Sequence, residues 1–246
     1  MLNNNDREQL EKLTETNPEL KNIVSRLAES YNFNIGKFSH ELRNPLTLIS
    51  SSLQLIEAQH PEVKDFRFWN ETMADIQYVL SLLDELSKFN QSDILNLSQF
   101  EIGELVDSVC FAVRNDICDS SCTLTCTYSK SLPKITGDAI KIRQVITNLI
   151  KNAKDAVNPE NGSIQVTILD VNPDKFQISI ADNGSGIPAE FQNTIFEPFV
   201  THKANGSGLG LPICKNIVEA HGGSITFETQ ENIGTTFYIT LPISPN

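Results

Sequence analysis

Three groups of residues in this 246-residue chain are of the types and spacings that do chemistry. The first is Phe38-Ser39-His40-Glu41-Leu42-Arg43-Asn44-Pro45-Leu46. With Leu42 and Leu46 on an apolar helical seam, His40 falls beside the core stripe and is expected to project into solvent. Glu41 is its immediate neighbour, and Asn44 lies one turn further along the same outward face. Imidazole and carboxylate together are the groups of nucleophilic and acid–base chemistry. Pro45 costs roughly 3 kcal/mol inside a helix and frees the carbonyl of Glu41, a strain tolerated where a bend is useful. That strain makes an idle surface histidine the weaker reading.

The second group is rich in glycine. Asp182-Asn183-Gly184-Ser185-Gly186-Ile187 follows a strand pattern, and Gly206-Ser207-Gly208-Leu209-Gly210-Leu211 precedes an apolar helix. More than half of the chain's 12 glycines lie between Gly184 and Gly223, so the backbone there must bend or approach something closely. Free amides and a helix dipole at Gly206 to Gly210 would favour a phosphate. The segment lacks the Gly-Lys-Ser/Thr ending of a P-loop, and its spacing does not match the dinucleotide fingerprint. The third group is Asn148 and Asn152, one turn apart on a helix whose Val145, Ile146, Leu149, Ile150 and Ala153 form the buried side. Amide oxygens suit a hard cation such as magnesium, and two solvated asparagines are the plain alternative.

The elements that must position these groups are legible in outline. Asn17-Pro18-Glu19 supplies a cap, a first-turn proline and a first-turn acid. Leu20, Val24, Leu27, Tyr31 and Ile35 lead into Leu42, Leu46, Ile49, Leu53 and Ile56, a heptad seam that predicts one helix over about 18–58, closed by His60-Pro61. A second seam runs through Phe66, Trp69, Met73, Ile76, Leu80 and Leu83. A single antiparallel hairpin cannot cover both seams, so a homodimeric four-helix bundle is expected. Residues 91–97 read as a linker between this hairpin (18–90) and a second domain over 98–246. There, helices are predicted from Phe100 to about Asp116 and from Asp138 to about Val157. Strands are predicted around Ile164-Val166-Ile168, Phe176-Ile178-Ile180, Ile225-Phe227 and Phe237-Ile239-Leu241, in a mixed sheet with helices on one face.

Composition narrows the function. With 19 Lys and Arg against 31 Asp and Glu, the net charge of −12 argues against nucleic acid or an anionic membrane as the main partner. No stretch approaches the roughly 18 apolar residues of a membrane span, and Met-Leu-Asn-Asn-Asn-Asp lacks the regions of a signal peptide, so a cytoplasmic chain with no membrane insertion is expected. Five cysteines do not read as a disulfide framework, and Cys118, Cys122 and Cys126, though four apart, have no nearby His to complete a metal site.

In their order along the chain these pieces resemble one family. The His40 segment is similar to the phosphoacceptor box of sensor histidine kinases. Asn148 to Asn152, Asp182 to Gly186, Phe196-Glu197-Pro198-Phe199 and Gly206 to Gly210 resemble the asparagine, first glycine, phenylalanine and second glycine boxes of its ATP-binding domain. Gly234-Thr235-Thr236-Phe237 resembles its closing segment. The resemblance covers roughly residues 30 to 244. It implies a dimerisation and histidine-phosphotransfer bundle followed by a Bergerat-type α/β sandwich.

On that reading Asp182 accepts a hydrogen bond from the adenine amino group, Asn152 holds magnesium between the phosphates of ATP, and Asn148 supports the phosphates. Gly184, Gly186, Leu209 and Thr236 complete the nucleotide site. Residues from about Ala189 to Gly208 form a lid, with Lys203 reaching the phosphates, Gly206, Gly208 and Gly210 cradling them, and Phe196 and Phe199 seating the lid. His40 attacks as its neutral base, with Glu41 hydrogen-bonding the other ring nitrogen and taking up its proton. The phosphoryl group passes to an Asp of a response regulator receiver domain. The Glu41-x-x-Asn44 spacing resembles the family's phosphatase signature, in which the amide orients a water. The chain departs from the family at Asp155, where many members carry Lys or Arg, and residues 1–17 are too few for a sensor domain, so input is expected from a partner or a preceding region. The alternatives are a catalytically inactive dimeric scaffold that binds ATP or a regulator, and a gyrase- or MutL-type clamp, which has no use for an exposed His-Glu beside a proline.

Overall fold

The computed structural model describes residue 13 and residues 17–117, 122–128, 132, 134–203 and 206–244. The expectation for Cys118 lies outside them, as do those for the side chains of Leu27, Tyr31 and Ile35. The chain divides into two compact units, Met1–Asn90 and Gln91–Asn246.

In the first unit, helix α1 spans Pro18–Gln59 and α2 spans Trp69–Asn90, joined by a 3₁₀ turn over Pro61–Asp65. Asn17 Oδ1 caps α1, accepting from the amides of Glu19 and Leu20, and the helix continues through Pro45. The face that α1 turns toward α2 is more polar than the seam read from the sequence. Arg43 pairs with Asp84 at 2.7 Å, Gln77 Nε2 donates to Ser50 Oγ at 3.0 Å, and the Trp69 indole donates to Glu57 at 3.0 Å. Ser39 and Ser50 are buried on that face, Leu46 and Leu53 half-buried. Leu42, Ile49 and Ile56, the other half of the expected seam, keep 39%, 48% and 42% of their surface exposed. The two stripes are adjacent, one position apart, so the hairpin closes on one and leaves the other free. Phe66 precedes α2 and is exposed, so that seam begins at Trp69.

The second unit is a layer of helices on a sheet. Its elements are β1 (Ser98–Glu101), α3 (Ile102–Ile117), β2 (Thr123–Tyr128), β3 (Lys134–Gly137), α4 (Ala139–Ala156), β4 (Ser163–Asn172), β5 (Lys175–Asp182), α5 (Gly210–Ala220), β6 (Ser224–Gln230) and β7 (Gly234–Pro242). The five-stranded sheet has the order β2-β4-β5-β7-β6, with β2 and β4 parallel and the other pairs antiparallel. Ile164, Val166 and Ile168, Phe176, Ile178 and Ile180, and Phe237, Ile239 and Leu241 are buried at every second position, which puts one face of the sheet under the helices. The small antiparallel pair β1–β3 is a correction to the helix expected from Phe100. Phe100 lies opposite Ile135 in that pair, and the helix starts two residues later.

A buried polar knot fixes the start of α4. Asp138 Oδ1 accepts from the amides of Ile140 and Lys141, and its Oδ2 accepts from the amide of Asn96. The Asp138 amide in turn donates to His221 Nε2 at 2.9 Å, and His221 Nδ1–H donates to the Ile217 carbonyl at 2.7 Å. The bond from Asp138 needs a neutral ring, since Nε2 accepts it, and burial holds the His221 pKa below its ordinary 6.5, opposed by the bond to Ile217. The unfolded chain therefore gains a proton before the folded one does as pH falls. The stability that His221 contributes is complete above about pH 6.5 and is lost as the pH drops toward the folded pKa. Urea titrations of the protein from pH 8 to pH 5 are expected to show this loss. His221→Gln, which retains one acceptor, is expected to flatten the dependence and to cost about 1 kcal/mol at neutral pH through the missing bond to Ile217.

Candidate functional site

In the first unit the His40 ring is exposed, and among the described residues nothing hydrogen-bonds it. Asn44 is exposed one turn further along α1. Glu41 does not hold the ring as expected. Its carboxylate lies 3.9 Å from Lys37 Nζ, one turn back, because neighbouring side chains on a helix diverge while i and i+4 meet.

In the second unit the ends of β5 and β7 meet at Asp182. This half-buried carboxylate accepts on Oδ1 from the amides of Gly184 at 2.8 Å and Thr235 at 3.3 Å. Among the described residues no donor reaches Oδ2, which is left to accept from a ligand. Burial raises the Asp182 pKa above its ordinary value, opposed by the two backbone bonds. The register places Thr235, not Thr236, opposite Asp182. Thr235 is buried, its hydroxyl 3.0 Å from that of Thr229, which also accepts from the Ile187 amide at 2.8 Å. Thr236 alternates to the other sheet face, beside Tyr238, so it is Thr235 whose side chain lies on the Asp182 side of the site. The alternation from Phe237, Ile239 and Leu241 already carried that signal.

The glycines divide by what surrounds them. A Cβ at Gly184 would stand 2.5 Å from the Ala156 carbonyl oxygen, and one at Gly186 would stand 2.3 Å from that of Gln230. Both are glycine because this chain's own backbone passes there. At Gly210, the first residue of α5, a Cβ would meet open space. The Gly206 amide donates to the Lys203 carbonyl and the Leu209 amide to Ser207 Oγ, both at 3.1 Å. Leu209 is 1% exposed, a core anchor and not a ligand contact. Gly208, at φ +70°, turns the chain and accepts from the Phe199 amide at 3.0 Å. Among the described residues, the amides of Gly208, Gly210 and Leu211 at this helix N-terminus donate to no other group, as an anion site requires.

On α4 the half-buried Asn148 lies beside buried Cys214 on α5, whose thiol donates to the Val145 carbonyl at 3.9 Å. Asn152 and Asp155, one turn on, converge on one cation. Lys203 Nζ is 3.0 Å from Asn152 Oδ1 and 2.6 Å from Asp155 Oδ2. Lys203 thus reaches the oxygen read as the metal ligand. The segment before it winds through successive turns, with Phe191 stacked on His202 at 3.4 Å between ring centroids. Phe196 meets Phe227 edge-on at 6.1 Å and seats this segment on the sheet. Phe199 does not, being 58% exposed at φ +67°. Asp155 stands in the sequence only as a departure from the family and Thr235 only within the closing segment, neither with a role at this site. No helix among the described residues is long and apolar enough to cross a membrane.

Residues 137–245 match the family model described as histidine kinase-, DNA gyrase B- and HSP90-like ATPase. Sporulation kinase C of Bacillus subtilis (strain 168) is 30% identical over 93% of this chain and 54% of its own length. The nucleotide-free catalytic domain of histidine kinase ThkA is 32% identical, with a TM-score of 0.56 over 61% of this chain and 97% of that one. Histidine kinase ThkA in complex with the response regulator TrrA matches 97% of this chain and 67% of that one, at 26% identity and a TM-score of 0.61. The chain spans about half the length of the curated relatives it matches.

Proposed function

The chain belongs to the sensor histidine kinases, and from that premise we propose that it is an ATP-dependent autokinase that phosphorylates His40 and passes the phosphoryl group to an Asp of a response regulator. The observation that carries this is the pairing, in one chain, of a solvent-facing imidazole on α1 with a half-buried carboxylate that keeps one free oxygen at the end of the sheet. The complex of ThkA with its regulator supports a receiver domain as partner. The hairpin acts as a homodimer in which the exposed stripe of Leu42, Ile49 and Ile56 is covered by a second copy, giving the four-helix bundle. Residues 18–90 serve phosphotransfer, 91–97 link, and 98–246 bind nucleotide in the cytoplasm.

Asp182 Oδ2 accepts from the adenine amino group while Oδ1 stays fixed by backbone. The amides of Gly208 and Gly210 and the ammonium of Lys203 face the phosphates. The oxygens of Asn152 and Asp155 suit a hard cation, and Asn152 already accepts from a cationic group at 3.0 Å. Asn152 would hold magnesium, which when bound neutralises charge on the phosphates. His40 attacks the γ-phosphorus through a neutral ring nitrogen: an N–P bond forms, the P–O bond to ADP breaks, and the other nitrogen gives up its proton. Glu41, tethered only loosely to Lys37, can turn to take that proton. Asn44 orients water against the regulator's phospho-aspartate, making the protein a phosphatase as well.

Two variants separate these roles. His40→Gln is expected to bind magnesium ADP like the parent and to incorporate no phosphoryl group from ATP. Asn44→Ala is expected to slow dephosphorylation of the regulator by about 100-fold or more, the range ascribed to one positioned group. Full-rate dephosphorylation by Asn44→Ala would refute the phosphatase activity, and full incorporation by His40→Gln would refute the acceptor.

A further inference from the structure

The contact of Lys203 with Asn152 and Asp155 has a consequence for nucleotide affinity, which rests on the reading of Asn152 as the metal ligand. Asn152 and Asp155 are three residues apart on one face of α4, and Lys203 Nζ bridges their oxygens at 3.0 and 2.6 Å. The backbone holds the lysine in place, since its amide donates to Thr201 Oγ1 at 3.2 Å and its carbonyl accepts from Gly206 at 3.1 Å. Both charged side chains are about half exposed, 49% for Lys203 and 55% for Asp155. A pair so open to water contributes little to folding. It does, however, decide where the ammonium on Asn152 rests. A divalent cation bound at Asn152 Oδ1 would share that oxygen with an ammonium 3.0 Å from it, and like charges on one oxygen repel. The metal and Lys203 therefore compete for this oxygen unless Lys203 moves to the phosphates.

We propose that Asp155 is a positioning residue that sets nucleotide affinity through Lys203: it draws the ammonium onto Asn152, so that magnesium nucleotide binds only as phosphate oxygens take the lysine over. The exchange replaces a single carboxylate charge by the larger charge of the phosphates, so binding proceeds, but from a weaker starting point than if Lys203 were unheld.

Calorimetric titration of the whole chain with magnesium ADP tests this in a double-mutant cycle. Asp155→Asn is expected to tighten binding about three- to fivefold, the size of an exposed ion pair. Asp155→Glu, which can still reach Lys203, is expected to behave like the parent. In a Lys203→Met background the effect of Asp155→Asn is expected to shrink to less than about twofold. Amine-directed labelling without nucleotide gives a second readout, Lys203 becoming more reactive in Asp155→Asn. Equal tightening in both backgrounds would mean that Asp155 acts as a bare charge on the phosphates, and would overturn the proposal. So would unchanged or weaker binding by Asp155→Asn in the parent background. Failure of the parent itself to bind magnesium ADP would remove the reading of Asn152 and the proposal with it, while the labelling result would still report whether the ion pair exists.

Discussion

Replacing Asp182 by Asn is expected to abolish nucleotide binding, by at least about 100-fold, while leaving the second unit folded. The two backbone donors, Gly184 at 2.8 Å and Thr235 at 3.3 Å, both point at Oδ1 and fix the amide oxygen of an asparagine there. The amide nitrogen then stands where Oδ2 was, presenting a donor to the adenine amino group, itself a donor. Two opposed donors in a half-buried site leave both unpaired, a larger loss than one missing bond. Stability moves the other way. Burial raises the Asp182 pKa, so the folded protein holds that proton more tightly than the unfolded chain and becomes less stable as pH rises past the ordinary carboxylate value. A neutral asparagine removes this cost, and the melting temperature at pH 7 is expected to stay level or rise. Titration with magnesium ADP beside a thermal melt checks both halves. In the parent, affinity is expected to fall with acidification through the raised pKa, because a protonated carboxyl no longer offers the same acceptor.

Gly234→Ala is expected to damage both fold and site. Gly234 lies at φ +144°, and an added Cβ would stand 1.9 Å from the Asp182 carbonyl oxygen and 3.0 Å from the Cα of Asn183. Neither neighbour is a side chain that can swing away, so the start of β7 must separate from the end of β5. Backbone strain and overpacking together are expected to cost about 3 kcal/mol, a drop in melting temperature of roughly 10 °C for a unit of this size. The same displacement pulls the Thr235 amide from Asp182, so residual folded protein is expected to bind nucleotide weakly. A melt followed by titration below the midpoint separates the two effects. If Gly234→Ala melted with the parent and bound nucleotide as well, the close approach of β7 to Asp182 would be wrong.

The legible parts of this chain are those whose signal is local and repeated. Asn17-Pro18-Glu19 and His60-Pro61 bracket α1 in the sequence as they do in the structure, and Phe176-Ile178-Ile180 with Phe237-Ile239-Leu241 announces the buried sheet face. What escaped depends on partners distant in the chain. The pair β1–β3 has four residues in each strand, too few to show a period, and exists because Phe100 finds Ile135. The α1 face toward α2 was hidden because Arg43, Ser50 and Glu57 are polar residues at helical spacing that find polar partners on the other helix. The nucleotide site came through as motifs, yet its details rest on register and on loops. Thr235, not Thr236, meets Asp182 because β7 pairs them, and Lys203 meets Asp155 across 48 residues of sequence. Composition alone shows neither.

The measurement that bears most directly on the central claim is the chemical identity of the phosphorylated residue. The protein is incubated with magnesium ATP labelled on its γ-phosphate, digested at neutral or alkaline pH and mapped by mass spectrometry. The account predicts one phosphoryl group on the His40 imidazole, lost in acid, stable in base and removed by a receiver domain carrying its acceptor Asp. An acid-stable label on a hydroxyl side chain, or hydrolysis of ATP with no label on the chain, would contradict it.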